Sequence, residues 1–229
     1  MIVELGEAAP DEVGGKALGL ARLAELGLPV PPAVVVPVSA RGRLDDPEAV
    51  ADRLGEPLAV RSSAVGEDAA DRSAAGQYES LMGVRKEQLR DAVARVHASG
   101  TGERARAYGA DGGMAVVIQR EVLSTRAGVA FSRDPVGGSD DVVIECAFGH
   151  GEAVVGGETT PDRYRVGADG RVSARVAAGA LRTLRDDEAR DVAELARRAE
   201  RGFGSAVDVE FCFERRRLWL VQCRPITTL

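Results

Sequence analysis

From Ala17 to Leu26 apolar residues recur at helical spacing, ALGLARLAEL, and Gly27 follows as a stop signal. Gly14, Gly15 and Lys16 stand at the predicted start of that helix. The rigid stretch Leu28-Pro29-Val30-Pro31-Pro32 then leads into Ala33–Val36, a short run rich in β-branched residues that predicts a strand. Residues 41–56 are polar and loop-like, with room for one or two helical turns. Leu58–Val60 predicts a buried strand ending at Arg61-Ser62-Ser63, and residues 64–77, rich in Ala, Gly, Ser and Asp, have no period and predict a loop. Gln88–His97 has the pattern of an amphipathic helix, with a second helical piece near Glu103–Tyr108.

After Asp111-Gly112-Gly113 the pattern changes. Met114–Arg120, Ala127–Ser132 and Val142–Cys146 predict strands, Asp186–Arg201 a charged helix, and Val207–Phe213 and Leu218–Cys223 two closing strands. Helices dominate the first half of this reading and strands the second. That predicts an α+β architecture of two lobes, residues 1–112 and 113–229.

The closing strands alternate most clearly. In Val207-Asp208-Val209-Glu210-Phe211 the acids share one face, and in Val221-Gln222-Cys223-Arg224 so do the amide and the guanidinium. A three-residue loop, Arg215–Arg217, sets Glu210 opposite Gln222 and Asp208 opposite Arg224, with Phe213–Trp219 and Phe211–Val221 as an apolar face. A two-residue loop shifts this register by one and opposes polar to apolar residues. Two readings of the polar face stand together: a solvent-facing strand pair with a cross-strand Asp–Arg contact, or a carboxylate and an amide oxygen suited to a hard cation such as Mg²⁺.

Composition narrows the classes. The 229 residues carry a net charge of −6, which disfavours a nucleic-acid surface; the run Arg215-Arg216-Arg217 suits a solvated turn. Cys146, Cys212 and Cys223 show neither a CxxC pair nor framework spacing, as expected of reduced thiols. No apolar stretch approaches a membrane span, and the acidic N-terminus lacks the basic region of a signal peptide, so the expected location is the cytoplasm.

Two polar segments suit anions. Gly14-Gly15-Lys16 allows close backbone approach at a helix start, where negative charge is favoured, although it departs from a P-loop because Ala17 follows Lys16 and Pro10 precedes. Arg61, after a buried strand, offers a fork of donors to phosphate, or pairs with Glu67 or Asp68. Ala74–Ser80 has small residues able to lie over a ligand or simply to connect elements. His150 lies among glycines, His97 in a helix, and neither has a catalytic-triad or zinc-site context.

Six segments in order resemble the N-terminal nucleotide-binding domain of phosphoenolpyruvate synthase, pyruvate phosphate dikinase and rifampicin phosphotransferase. They are VGGKALGLARLAELGLPVPPAVVV, LAVRSSAVGEDAADRSAAGQYES, MAVVIQREV, AGVAFSRDPV, VVIECAFGHGEAVVGGETTPDRY and VDVEFCFERRRLWLVQCRPITTL. The resemblance implies an ATP-grasp fold with ATP between two lobes. By position it implies that Lys16 and Arg61 contact ATP phosphates, and that Gly76 and Ser80 lie on the loop covering them; Ser80 stands where the family usually has Thr. Gln119, Arg120 and Val122 would border the adenine, Glu210 and Gln222 would hold Mg²⁺, Arg224 would bind phosphate and Asp208 would support that cluster. Lys16, Arg61 and Arg224 are then the residues expected to act on the reacting phosphates.

Two departures accompany the resemblance. The chain looks shortened at residues 38–57 and after Arg165, and the family's phosphohistidine and acceptor-binding domains are not among these residues. The implied role is therefore partial: the ATP half-reaction of a dikinase-type phosphotransferase, with the histidine and the acceptor site on separate partners. A nucleotide-binding or regulatory module without catalysis is the alternative.

Overall fold

The computed structural model describes residues 2–7, 9–66, 79–100, 113–149, 160–176 and 181–226. The chain divides into two compact units, one formed by Met1–Ala21 and Pro31–Glu121, the other by Arg22–Val30 and Val122–Leu229. The division expected near Gly112 thus falls nine residues later, and residues 22–30 join the second unit.

In the first unit, β1 (Val3–Glu4), β2 (Ala33–Val36), β3 (Leu58–Ala64), β4 (Ser80–Val84) and β5 (Met114–Arg120) form an antiparallel sheet of order β1-β2-β5-β3-β4. β5, expected to open a strand-rich second half, is the middle strand of this sheet. Pattern within β5 signals a strand, but its partners lie tens of residues upstream in the sequence, where local periodicity carries no information. One face packs Val34, Val36, Leu58, Val60, Val116 and Ile118 against α2 (Pro47–Leu54) and α3 (Leu89–Ser99). In α2, Asp46 caps the Ala49 N–H at 3.0 Å and Pro47 occupies the first turn, where its missing donor is harmless. Alternation sends Ala59, Arg61, Val117 and Gln119 to the opposite face.

Arg61-Ser62-Ser63 lies within β3 rather than beyond its end, a correction to the sequence reading. Small hydroxyl side chains fit a strand buried on both faces, and Ser62 and Ser63 are inaccessible. The helix α1 (Pro10–Glu25) begins earlier than expected but is broken at Gly14, whose φ of 72° is non-helical, so the segment carrying Lys16 does start after the glycine.

The second unit holds a six-stranded antiparallel sheet of order β11-β10-β6-β7-β8-β9. Its strands are β6 (Arg126–Phe131), β7 (Val142–Phe148), β8 (Asp162–Val166), β9 (Val172–Arg175), β10 (Val207–Glu214) and β11 (Arg217–Pro225). One face receives α4 (Asp186–Phe203), whose Ala189, Val192, Ala193, Ala196 and Ala199 pack on Ile144, Tyr164, Val209, Phe211 and Leu220. Small residues let the helix backbone sit close to the sheet. At its start Glu188 accepts from the Arg185 N–H at 3.0 Å, and Gly204, with φ 74°, ends it in the left-handed conformation.

The β10–β11 hairpin differs from the expected one. Its loop has two residues, Arg215 and Arg216, with Arg215 left-handed at φ 58°, and pairs Glu214 with Arg217, Phe213 with Leu218 and Cys212 with Trp219. The expected Phe213–Trp219 and Phe211–Val221 pairs do not form. A β-bulge then leaves Val221 supernumerary, and beyond it Glu210 pairs with Gln222 and Asp208 with Arg224, as the alternation predicted. The bulge reverses the phase of β11: Leu218 and Leu220 join the core under α4, while Gln222 and Arg224 share the far face with Glu210 and Asp208.

Candidate functional site

In the second unit the four expected polar residues come together on two adjacent strands. Glu210 lies directly across from Gln222, and Asp208 across from Arg224. The Arg224 Nε–H is shared between the two Asp208 carboxylate oxygens, at 3.0 and 2.7 Å. Asp208 and Gln222 are largely buried, at 8% and 7% exposure, whereas Glu210 is half-buried and so accessible from one side. Next along the same face, Val122, Ala127, Cys212 and Trp219 form a small apolar cluster, with Val221 packed against it. The Arg217 guanidinium lies 3.8 Å from the centre of the Trp219 ring, covering its outer side. A carboxylate–amide pair therefore adjoins an apolar patch on one sheet face.

In the first unit Arg61 and Ser80 are directly paired across β3 and β4, and Arg61 is also paired with Val117 on β5. Gln119 lies one step along β5, paired with Ala59 and Ala33, so Arg61, Ser80 and Gln119 share a face. Gln119 is 2% exposed, and its Nε2 has no hydrogen-bond partner among the described residues. Arg120 ends β5, where its N–H donates to the Pro32 carbonyl at 2.8 Å. Lys16 follows the break in α1 and is half-buried. Gly76, His150 and the helical piece expected at Glu103–Tyr108 lie outside the described residues.

Sequence reasoning gave no role to Ser63 or Glu121. Ser63 bridges two turns of α1. Glu121, 6% exposed at the end of β5, accepts from the Gly83 N–H and so ties the edge strand β4 to the sheet. The sequence offers only a carboxylate directly after Gln119-Arg120; its burial is not legible there. His97 is half-buried in α3, with burial lowering its pKa, and packs against Gly42, where an added Cβ would lie 2.8 Å from its ring; it serves packing.

Two other polar clusters in the second unit are structural. Arg126 makes a paired contact to Glu188 at 2.7 and 2.9 Å and stacks 4.5 Å from the Phe213 ring centre. Burial opposes ionisation of Glu188, but hydrogen bonds from Arg126 and the Arg185 N–H outweigh it and leave the carboxyl below its ordinary pKa. Asp134 accepts from the backbone N–H groups of Gly137 and Val136 and from Arg165, which bring its pKa down to about 2. Among the described residues no group of three or more His, Cys, Asp or Glu forms a ready metal cage. No helix among them is long and apolar enough to cross a membrane.

This α+β architecture is an ATP-grasp fold. The chain is similar to a solved L-amino acid ligase from Bacillus licheniformis, with a TM-score of 0.52 and 13% identity over 92% of this chain and 42% of that one. Residues 43–182 and 171–229 match the family described as pyruvate phosphate dikinase, AMP/ATP-binding domain, and the chain belongs to that family.

Its curated relatives include the prodigiosin synthesizing transferase PigC of Serratia marcescens, 31% identical over all of this chain and 33% of that protein. A probable phosphoenolpyruvate synthase of Methanothermobacter thermautotrophicus is 28% identical over 99% of this chain and 45% of that protein. A rifampicin phosphotransferase of a Streptomyces species is 36% identical over 75% of this chain and 23% of that protein. The chain thus spans less than half the length of these relatives. The alignment with the Serratia protein runs over 295 positions against 229 residues here, so that relative carries extra residues within the matched region.

Proposed function

We propose that this chain binds ATP with Mg²⁺ and supplies the nucleotide half-reaction of a dikinase-type phosphotransfer. The β-phosphoryl group of ATP would pass to a histidine on a separate partner chain, with water taking the γ-phosphate as orthophosphate and AMP left behind, and a third component would bind the final acceptor. The observation carrying this reading is the registered Glu210–Gln222 pair beside the Asp208–Arg224 contact. Mg²⁺ takes oxygen ligands and needs only one or two from protein when phosphates complete its shell. Glu210 and Gln222 offer a carboxylate and an amide oxygen on one sheet face, Glu210 being the more accessible, so the donor set fits. Bound there, the ion would neutralise phosphate charge. Arg224, oriented by Asp208, would add a fixed cation, and Lys16 and Arg61 would supply donors to the remaining phosphate oxygens.

The base has its own support. The buried Gln119 Nε2, which lacks a partner among the described residues, suits a ring-nitrogen acceptor, with Arg120 and Val122 alongside. Gly76 and Ser80 would cover the phosphates. Three buried thiols without a disulfide accord with a cytoplasmic setting.

Calorimetric titration with ATP, with and without Mg²⁺, tests binding; AMP release on adding a phosphohistidine-domain protein from the same genome tests chemistry. Mg²⁺-dependent heat is expected, and its absence would refute the reading. A second reading, a nucleotide-binding module without catalysis, predicts the heat without AMP.

A further inference from the structure

We infer that Ser63 is a positioning residue that fixes Lys16 relative to Arg61, an inference resting on the nucleotide-binding reading above. In an unbroken helix the Ala17 N–H would donate to the Val13 carbonyl, four residues back. Gly14, at φ 72° and ψ 173°, breaks that bond. The Ser63 hydroxyl occupies the gap: it accepts from the Ala17 N–H at 3.1 Å and donates to the Val13 carbonyl at 2.7 Å. Both bonds are buried, and Ser63 is inaccessible to solvent. A side chain from a strand is thus inserted into the ladder of a helix, a recognised cause of sharp helix kinks.

A second observation fixes the same contact. A Cβ at Gly14 would lie 2.3 Å from the Ser63 carbonyl oxygen and 2.8 Å from the Ala64 carbonyl carbon. Only glycine permits both the left-handed conformation and this approach of the helix to the β3 backbone. The turn carrying Lys16 is therefore clamped to β3 on both sides of the break.

Arg61 sits two residues before Ser63 on β3, and residues two apart on a strand share a face about 6.6 Å apart. Lys16, adjacent to Ala17, and Arg61 are consequently referred to one rigid point. Without the hydroxyl, Ala17 N–H and Val13 C=O lose their partners and the Lys16 turn is free to shift. The loss would be felt by phosphates and not by the base.

The test uses the full chain and calorimetric titration with Mg-ATP and with adenosine. Ser63→Ala is expected to weaken Mg-ATP about tenfold, the scale of one or two buried hydrogen bonds, and to leave adenosine affinity unchanged. Ser63→Thr, which keeps the hydroxyl, should recover most of the loss. In a Lys16→Ala background the added effect of Ser63→Ala should disappear. Should Ser63→Ala fail to fold, Ser63→Cys, close in size with a weaker hydrogen-bonding group, replaces it. Equal Mg-ATP affinity in variant and wild type, equal losses for adenosine and Mg-ATP, or an undiminished effect without Lys16 would each overturn the inference. A wild-type chain that binds no ATP would instead overturn the functional reading, and the inference with it.

Discussion

Arg224 and Asp208 face each other across β10 and β11, and one guanidinium N–H is shared by both carboxylate oxygens at 3.0 and 2.7 Å. The contact holds the half-buried arginine in one orientation beside Glu210 and Gln222. Replacing Asp208 by Asn keeps the shape but weakens a charge-assisted bond by about 1.5 kcal/mol. Asp208→Asn is therefore expected to raise the Mg-ATP dissociation constant roughly tenfold, read by calorimetry at constant salt. An unchanged constant would leave the pair a strand-to-strand contact alone.

Glu210→Gln probes the proposed cation site. The side chain is half-buried at the end of a regular pairing stretch, so the substitution is expected to shift stability by less than about 1 kcal/mol. Mg²⁺ should no longer strengthen ATP binding, because the charged ligand is gone. Calorimetry with and without Mg²⁺, together with a thermal melt, separates the two effects; a large fall in melting temperature would favour a structural carboxylate.

Breaking the Arg126–Glu188 pair should have the opposite signature. Their side chains are only 14% and 6% exposed, and removing one partner leaves a buried charge unpaired. Glu188→Gln is expected to cost about 3 kcal/mol in denaturant unfolding while sparing nucleotide affinity. The pH dependence follows from the depressed native pKa. The contribution of Glu188 is fully present above its unfolded value of 4.5 and is lost as pH falls through the lower folded value. Asp134 acts likewise between 3.8 and about 2. Stability should therefore decline below about pH 4.5, and Glu188→Gln should flatten the upper part of that decline.

The cysteines offer a check on packing. Cys146, Cys212 and Cys223 are all buried, and burial, followed by the nearby Asp162, pushes the Cys146 thiol well above its ordinary pKa. An aromatic disulfide reagent at pH 8 should find no rapidly reacting thiol in the native chain and all three in denaturant. A fast-reacting native thiol would contradict this packing.

Legibility in the sequence followed the range of the interaction. Asp208, Glu210, Gln222 and Arg224 could be placed on one face because strict alternation carries that information locally. The bulge could not be foreseen: nothing in Leu220-Val221-Gln222 distinguishes a supernumerary residue, and the expected three-residue loop reached the right pairing at the site by a different route. Arg61 appeared to lie beyond a strand because Ser62 and Ser63 look like loop residues, yet one of them wedges open a helix fifty positions upstream. β4 escapes the pattern because Ser80-Leu81-Met82-Gly83 carries no β-branched residue, and β5 belongs to the other unit because its pairing with β2 and β3 is nonlocal.

The supernumerary Val221 also bears on how this hairpin tolerates change. It divides the hairpin into a tip, where residues 211–214 meet 217–220, and a base, where 207–210 meet 222–225. A residue gained or lost near the tip need not invert Gln222 and Arg224, because the irregularity can take up or release one position before the base begins. The hairpin has a length buffer between its loop and its chemistry, so the Arg215-Arg216 loop can change in length while the base keeps its phase.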